Sequence, residues 1–199
     1  MPEPQTALER EVRERKADAY AVSDNSPLQR HLEFWLGEVN ESISSLFHIY
    51  SKQIPRMVHD AEIMSGLEVM RKITHETQEL LQPIYEKYDC KRKPGRVVSR
   101  EVRDTLFPEE DDDQPNTYQA LESLLALRVY YSQVEGYLTA LVPVSQALWD
   151  QDFNNSVTEA INHLQRMMAW VKHQIGVRAP QTLVVPSKVV WEQLEKDQE

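Results

Sequence analysis

Ile63, Leu67, Met70, Thr74, Thr77, Leu81, Ile84 and Tyr88 follow one another at three- and four-residue steps. Only an α-helix brings such positions onto one side, because a strand alternates with a period of two. Asp60 stands just before the stripe, and its carboxylate suits the free amides of a first helical turn. The spacing predicts a helix over about 60–88. The pattern returns elsewhere in the chain. Leu28, Leu32, Trp35, Val39, Leu46 and Ile49, with Ser42 filling the gap, follow the capping pattern Ser26-Pro27-Leu28-Gln29. Proline suits a first helical turn, and Pro55 should end the run, giving a helix over about 27–53. Leu124, Leu127, Tyr131, Val134, Leu138, Leu141, Ser145 and Leu148 follow Asn116-Thr117-Tyr118-Gln119 and give a third helix, about 117–149, with a kink expected at Pro143. Val157, Ile161, Leu164, Met168, Val171 and Ile175 follow Ser156-Val157-Thr158-Glu159 and give a fourth, about 156–175. Lys172, His173, Gly176 and Pro180 should close it.

Long amphipathic segments of this kind define an all-α chain. The expected architecture is an antiparallel four-helix bundle over residues 26–177. The first two helices are joined by a short connection and should be antiparallel neighbours. The second and third are separated by a crossover, 90–116, long enough to run from one end of a bundle to the other. Its first half is basic, with Lys91, Arg92, Lys93, Arg96, Arg100 and Arg103. Its second half is acidic, with Asp104, Glu109, Glu110, Asp111, Asp112 and Asp113. Residues 99–107 can form one or two helical turns. A charged arm, 1–25, precedes the bundle. A tail, 178–199, follows it and is expected to dock, because Leu183, Val184, Val185, Val189, Val190 and Trp191 are too apolar for a free end.

The chain has 199 residues, enough for a full core without staples. Its net charge of −10 repels phosphate backbones, so nucleic acid is not an expected partner. The single cysteine, Cys90, excludes an intrachain disulfide and fits a reducing compartment. Its basic neighbours favour the thiolate, but no histidine is close in sequence to act as its base. No apolar run reaches the length of a membrane span, and the first residues lack a signal-peptide core. A cytoplasmic location is expected, with nuclear import as an alternative through Lys91-Arg92-Lys93-Pro94. Arg96-Val97-Val98-Ser99 has the form of a basophilic kinase site.

The element order, with its long link between the second and third helices, resembles that of ferritin-like carboxylate bundles. That resemblance implies iron or manganese held by inward glutamates and Glu-x-x-His pairs. The residues available for such a site are Glu38, Glu41, His75, Glu79, Glu135, Glu159 and His163, with Glu76 beside them. The stripes place His75, Glu79, Glu159, His163 and Glu41 outward, and Glu38 and Glu135 on the flanks. Glu159 and His163 are also one residue too far apart for the Glu-x-x-His pattern. His75-x-x-x-Glu79 is similar to a spacing in hemerythrin-like bundles, but the third helix has no histidine to complete that set. The expectation is therefore an interior without metal or cofactor. Binding of an apolar ligand between the helices is a further alternative, favoured by the Met and Tyr content.

The outward aromatic residues carry the preferred reading. Phe34 and Phe47 project away from the first stripe and Trp170 from the fourth, while Tyr130 and Tyr137 flank the third. Gly37 and Gly136 fall on outer faces, where glycine costs about 1 kcal/mol against alanine. Burying one Phe is worth roughly 1.5–3 kcal/mol, so these rings should meet a covering surface. The sequence thus predicts a non-catalytic helical module acting by protein–protein contact or self-association. Phe34, Phe47, Trp170 and Trp191 are its expected anchors.

Overall fold

The computed structural model describes residues 27–57, 60–88, 98–107 and 116–183. Five helices and no strand occur among them: α1 Pro27–Arg56, α2 Ala61–Lys87, α3 Val98–Leu106, α4 Asn116–Ala147 and α5 Gln151–Leu183. The chain is all-α. The arm 1–25, Cys90, the basic run 91–93, the acidic run 109–113 and Trp191 lie outside the described residues.

The helix ends show which signals prevailed. Asp60 caps α2 as expected, its side chain accepting the Ile63 amide at 3.0 Å. α1 passes its predicted stop, and the Met57 amide still reaches the Gln53 and Ile54 carbonyls. α4 includes Pro143 as one unbroken element. The fourth long helix differs most. It opens at Gln151 rather than Ser156, because Asp150 accepts the Phe153 amide at 3.1 Å and caps the helix first. It then runs through Gly176 and Pro180 to Leu183, so residues 178–183 belong to the helix and not to a tail. Gly176 is exposed, so water can serve the carbonyl that Pro180 leaves unpaired. Arg178 ties that extra length to Asp60 at 2.8 Å.

α4 and α5 meet through a tight turn. The Trp149 amide bonds to the Gln146 carbonyl and the Asp150 amide to the Ser145 carbonyl, the pairing of a Schellman end. Trp149 takes the left-handed position there, with φ of 55°, where glycine is the usual residue.

α1 packs on α2, α3 and α4, and α5 packs on α2 and α4. The contacts run in opposite directions along each long pair. Between α2 and α5, Asp60 meets Arg178, Thr77 meets His163 and Lys87 meets Asp150. Between α1 and α4, Trp35 meets Tyr137 and Gln53 meets Ser123. The core between the helices includes Leu36, Val39, Ile43, Leu46, Leu67, Leu81, Leu124, Leu127, Val134, Leu138, Val157 and Leu164. Every residue of the predicted α2 stripe from Ile63 to Ile84 is buried.

Candidate functional site

At mid-height the core carries hydroxyls. Tyr50 on α1 lies 2.7 Å from the Tyr131 hydroxyl on α4 and 3.2 Å from Thr74 Oγ1 on α2. Tyr131 also donates to Met70 Sδ at 3.2 Å, and Thr74 to Met167 Sδ at 3.7 Å. Burial pushes the Tyr50 hydroxyl up to about 12, although its bonds to Thr74 and Tyr131 oppose the rise. Burial also raises Tyr131 well above its ordinary value, and the neighbouring Tyr50 adds to it. Both rings therefore stay neutral at physiological pH. The layer is a set of neutral, mutually satisfied groups, able to fix the heights of three helices against one another and poorly suited to proton transfer.

The residues of the metal alternative are dispersed. Glu38 is buried, and its Oε2 accepts from the Ser99 amide at 3.3 Å and the Ser99 hydroxyl at 3.2 Å. Glu41 is half-buried and pairs with Arg100 at 2.9 Å, a correction to its outward placement. Both carboxylates thus hold the crossover helix α3 against α1. His75 and Glu79 pair with each other in solvent, 3.9 Å apart. Glu135 accepts from Gln165 at 3.1 Å on the α4–α5 surface. His163 is a second correction: its side chain is 12% exposed and lies in the α2–α5 seam. Thr77 gives its proton to the Ile73 carbonyl and so accepts from His163 Nδ1, at 2.9 Å. The other ring nitrogen faces Glu159 at 3.4 Å. Among the described residues no group of three or more His, Cys, Asp or Glu side chains converges in a way that can hold a metal.

Ser99 is fully buried with its hydroxyl committed to Glu38. The kinase-site reading of Arg96–Ser99 is overturned for the folded chain, because a kinase must reach the hydroxyl. Tyr130, read as a flank residue, is also fully buried, sharing its proton between the Ser42 and Ser99 carbonyls at 3.3 and 3.4 Å.

Two of the outward aromatic anchors are corrected in the same way. Phe47 is half-buried against the core, edge-on to the His75 ring at 6.3 Å. Trp170 is half-buried over Gly66 of α2, where even one added methyl carbon would overlap the indole. Their covering surface is internal. Phe34 does project into solvent, 53% exposed. Tyr137 is half-buried and meets Trp35 edge-on at 5.3 Å.

A different surface was missed by single-anchor reasoning. The exposed residues of α4 from Tyr118 onward are Tyr118, Glu122, Leu125, Val129, Ser132, Gly136, Thr139, Ala140, Pro143, Gln146 and Ala147. Glu122 is the one charge among them. The exposed residues of α2 are Ala61, Glu62, Ser65, Val69, Arg71, Lys72, His75, Glu76, Glu79, Gln82, Pro83, Glu86 and Lys87, with seven Glu, Arg or Lys charges among them. Leu125 and Val129 are 47% and 53% exposed. Beside them lies a groove of about 460 Å³, shared with Gln53 and Arg56 of α1 and with Leu106 and Phe107 near the end of α3. The signal was present in the sequence. α4 is apolar nearly all the way round, and a helix of that kind is normally covered on every side.

No protein-family model, no curated protein and no solved structure matches this chain.

Proposed function

We propose that this chain is a non-catalytic, antiparallel four-helix bundle with a crossover between its second and third long helices, and that it works by protein–protein contact through the outer face of α4. The closed circuit of packing, α1 to α2 to α5 to α4 and back to α1, supports the bundle. One observation carries the function. A chain in which 27% of residues are charged leaves a single charge, Glu122, on the exposed face of its most apolar helix. Interfaces are marked by depletion of charge at their centre, more than by bulk apolarity. Phe34 remains a separate exposed ring, and Phe47 and Trp170 contribute to stability instead.

The test is a photo-reactive phenylalanine analogue at Val129, with a control analogue at His75 on the charged face of α2. Irradiation in the producing cell should give protein adducts from position 129 and none from 75. Equal yields at both positions, or none at either, would remove α4 as the working surface. No residue set among those described favours the carboxylate-bundle alternative.

A further inference from the structure

We infer that the occupant of the α4 face is a second copy of this chain, docked antiparallel on α4 about a two-fold axis at the level of Leu127. This rests on α4 being the working surface and adds the identity of the partner. A two-fold contact must be self-complementary, each residue meeting a fixed counterpart. An axis at Leu127 pairs Leu125 with the partner copy's Val129. It pairs Tyr118 with Gly136, an aromatic ring against a position where an added Cβ would meet nothing within 4 Å. It sets Glu122 beside Ser132, a small side chain whose hydroxyl already donates to the Arg128 carbonyl at 3.0 Å. The same axis therefore gives apolar against apolar and large against small, from residues that are all exposed.

Charge selects the same face. Two copies carrying −10 each meet at least cost where the fewest charges must lose their water. The outer face of α2 is close to balanced, with Arg71, Lys72 and Lys87 among Glu62, Glu76, Glu79 and Glu86, but covering it would desolvate all seven, whereas the α4 face covers Glu122 alone. Gly136 also acquires a reason. In the isolated chain it lowers helix propensity with no contact in return. Against a second copy, it admits the Tyr118 ring.

Size sets the strength. From Tyr118 to Gly136 the helix rises about 27 Å and is about 10 Å across. That footprint is well under the roughly 800 Å² per partner of a stable complex, so the pair is a weak, reversible dimer.

Sedimentation equilibrium of the full chain over about 10–500 μM, the range where weak contacts populate, reads the proposal directly. The mean mass should rise with concentration. Leu125→Glu with Val129→Glu places like charges across the axis and should weaken association by about tenfold or more. Val69→Glu, a control at an exposed α2 position, should leave association as in the parent. Gly136→Ala should weaken the dimer while the monomer folds normally. Oxidising a mixture of Leu125→Cys and Val129→Cys chains, each with Cys90→Ser, should favour the mixed disulfide over either like pair; this reads the register even where glutamates disturb folding. A constant monomer mass overturns the inference, as does association that survives both glutamates. Constant mass with a destabilised double variant overturns it too, since the face is then covered from within the chain. Adducts from position 129 with a different protein, without self-association, would end the second-copy proposal and leave the α4 reading standing. Absence of adducts would end both.

Discussion

α2 and α4 are helices of similar length on opposite corners of the same packing circuit, and their outer faces have opposite chemistry. α2 turns charges to solvent and lets its glycine, Gly66, disappear under Trp170 of α5. α4 turns Leu125, Val129, Gly136 and Ala140 to solvent, and its glycine touches nothing. Both helices bury an equally regular inner stripe. The contrast therefore has nothing to do with folding the core. A face can be uncharged for folding or for contact, and the α4 face stays exposed among the described residues.

The largest effect that tests this contrast is a pair of leucine truncations. Leu81 of α2 is fully buried, and Leu81→Ala should cost about 2–5 kcal/mol of unfolding free energy. Leu125 of α4 is half in water, and Leu125→Ala should change the monomer's stability by only about 0.5 kcal/mol or less. Chemical denaturation in dilute solution measures both. Comparable losses would mean that Leu125 is covered inside the monomer, and the two faces would not differ as described.

The glycines come next, and they should move in opposite directions. Gly66→Ala forces the Trp170 ring off its seat, an overpacking cost of typically 1–3 kcal/mol. Gly136→Ala meets open space and replaces a poor helix former with the best one, for a gain of up to about 1 kcal/mol. Thermal unfolding of dilute protein should show the first variant below the parent and the second above it. A destabilised Gly136→Ala monomer would show that something within the chain already fills that position.

These variants also mark how far the sequence could be read. The α2 stripe is legible from Ile63 to Ile84 because α2 faces only α1 and α5; at its end Tyr85 is buried and the expected Tyr88 is half-buried. α5 seats itself against both α2 and α4. Its buried arc is wide, taking in Phe153, Ala160, Met167 and Gln174 as well as the expected row. A single stripe drawn on such a helix pushes true interface residues outward, which is how Trp170 and His163 came to be placed in solvent. α1 touches three helices and hid Tyr50 and Leu36 for the same reason. The start of α5 was misread because Ser156 and Asp150 both look like caps. The choice between them depended on the Ser145–Asp150 turn, which has no periodic signal. The central hydroxyl layer was half visible: Thr74 and Tyr131 fell on their stripes, but only packing brings Tyr50 to them.

The turn offers a smaller test at the end of α4. Trp149 holds a left-handed conformation that costs a non-glycine residue about 1–2 kcal/mol. Its side chain is 54% exposed and returns only part of that in burial. Trp149→Gly should raise stability by about 1 kcal/mol, read as a higher denaturation midpoint. A fall would mean that the indole contributes more to the α4–α5 turn than its exposure implies. α2 ends without this feature, since Tyr88 sits at φ of −101°.

The smallest effect separates the way α5 is held by its two neighbours. Against α2 it is held partly by charge: Arg178 lies within 2.8 Å of Asp60. Against α4 the polar links among the described residues are hydrogen bonds without an ion pair, with Gln165 donating to Glu135, Ser145 to Asn154 and Arg128 to the Met168 sulfur. Burial pushes the Asp60 carboxyl up, but the Ile63 amide and the Arg178 guanidinium outweigh it and leave the group below the usual carboxylate range. A depressed folded-state value stabilises the protein above the unfolded carboxylate value, about 3.9, and that stability is lost as pH falls through the folded value. Asp60→Asn keeps an acceptor for the helix cap and removes the charge. The variant should therefore melt slightly below the parent at pH 6, by an amount matching a partly exposed ion pair, about 0–1 kcal/mol. The two melting temperatures should converge as the pH is taken below 4. Glu135→Gln keeps an acceptor for Gln165 and should melt close to the parent at pH 6. If the Asp60→Asn deficit stays constant from pH 6 to pH 3, the Arg178 contact is not electrostatic in effect, and α2 and α4 hold α5 by the same means after all.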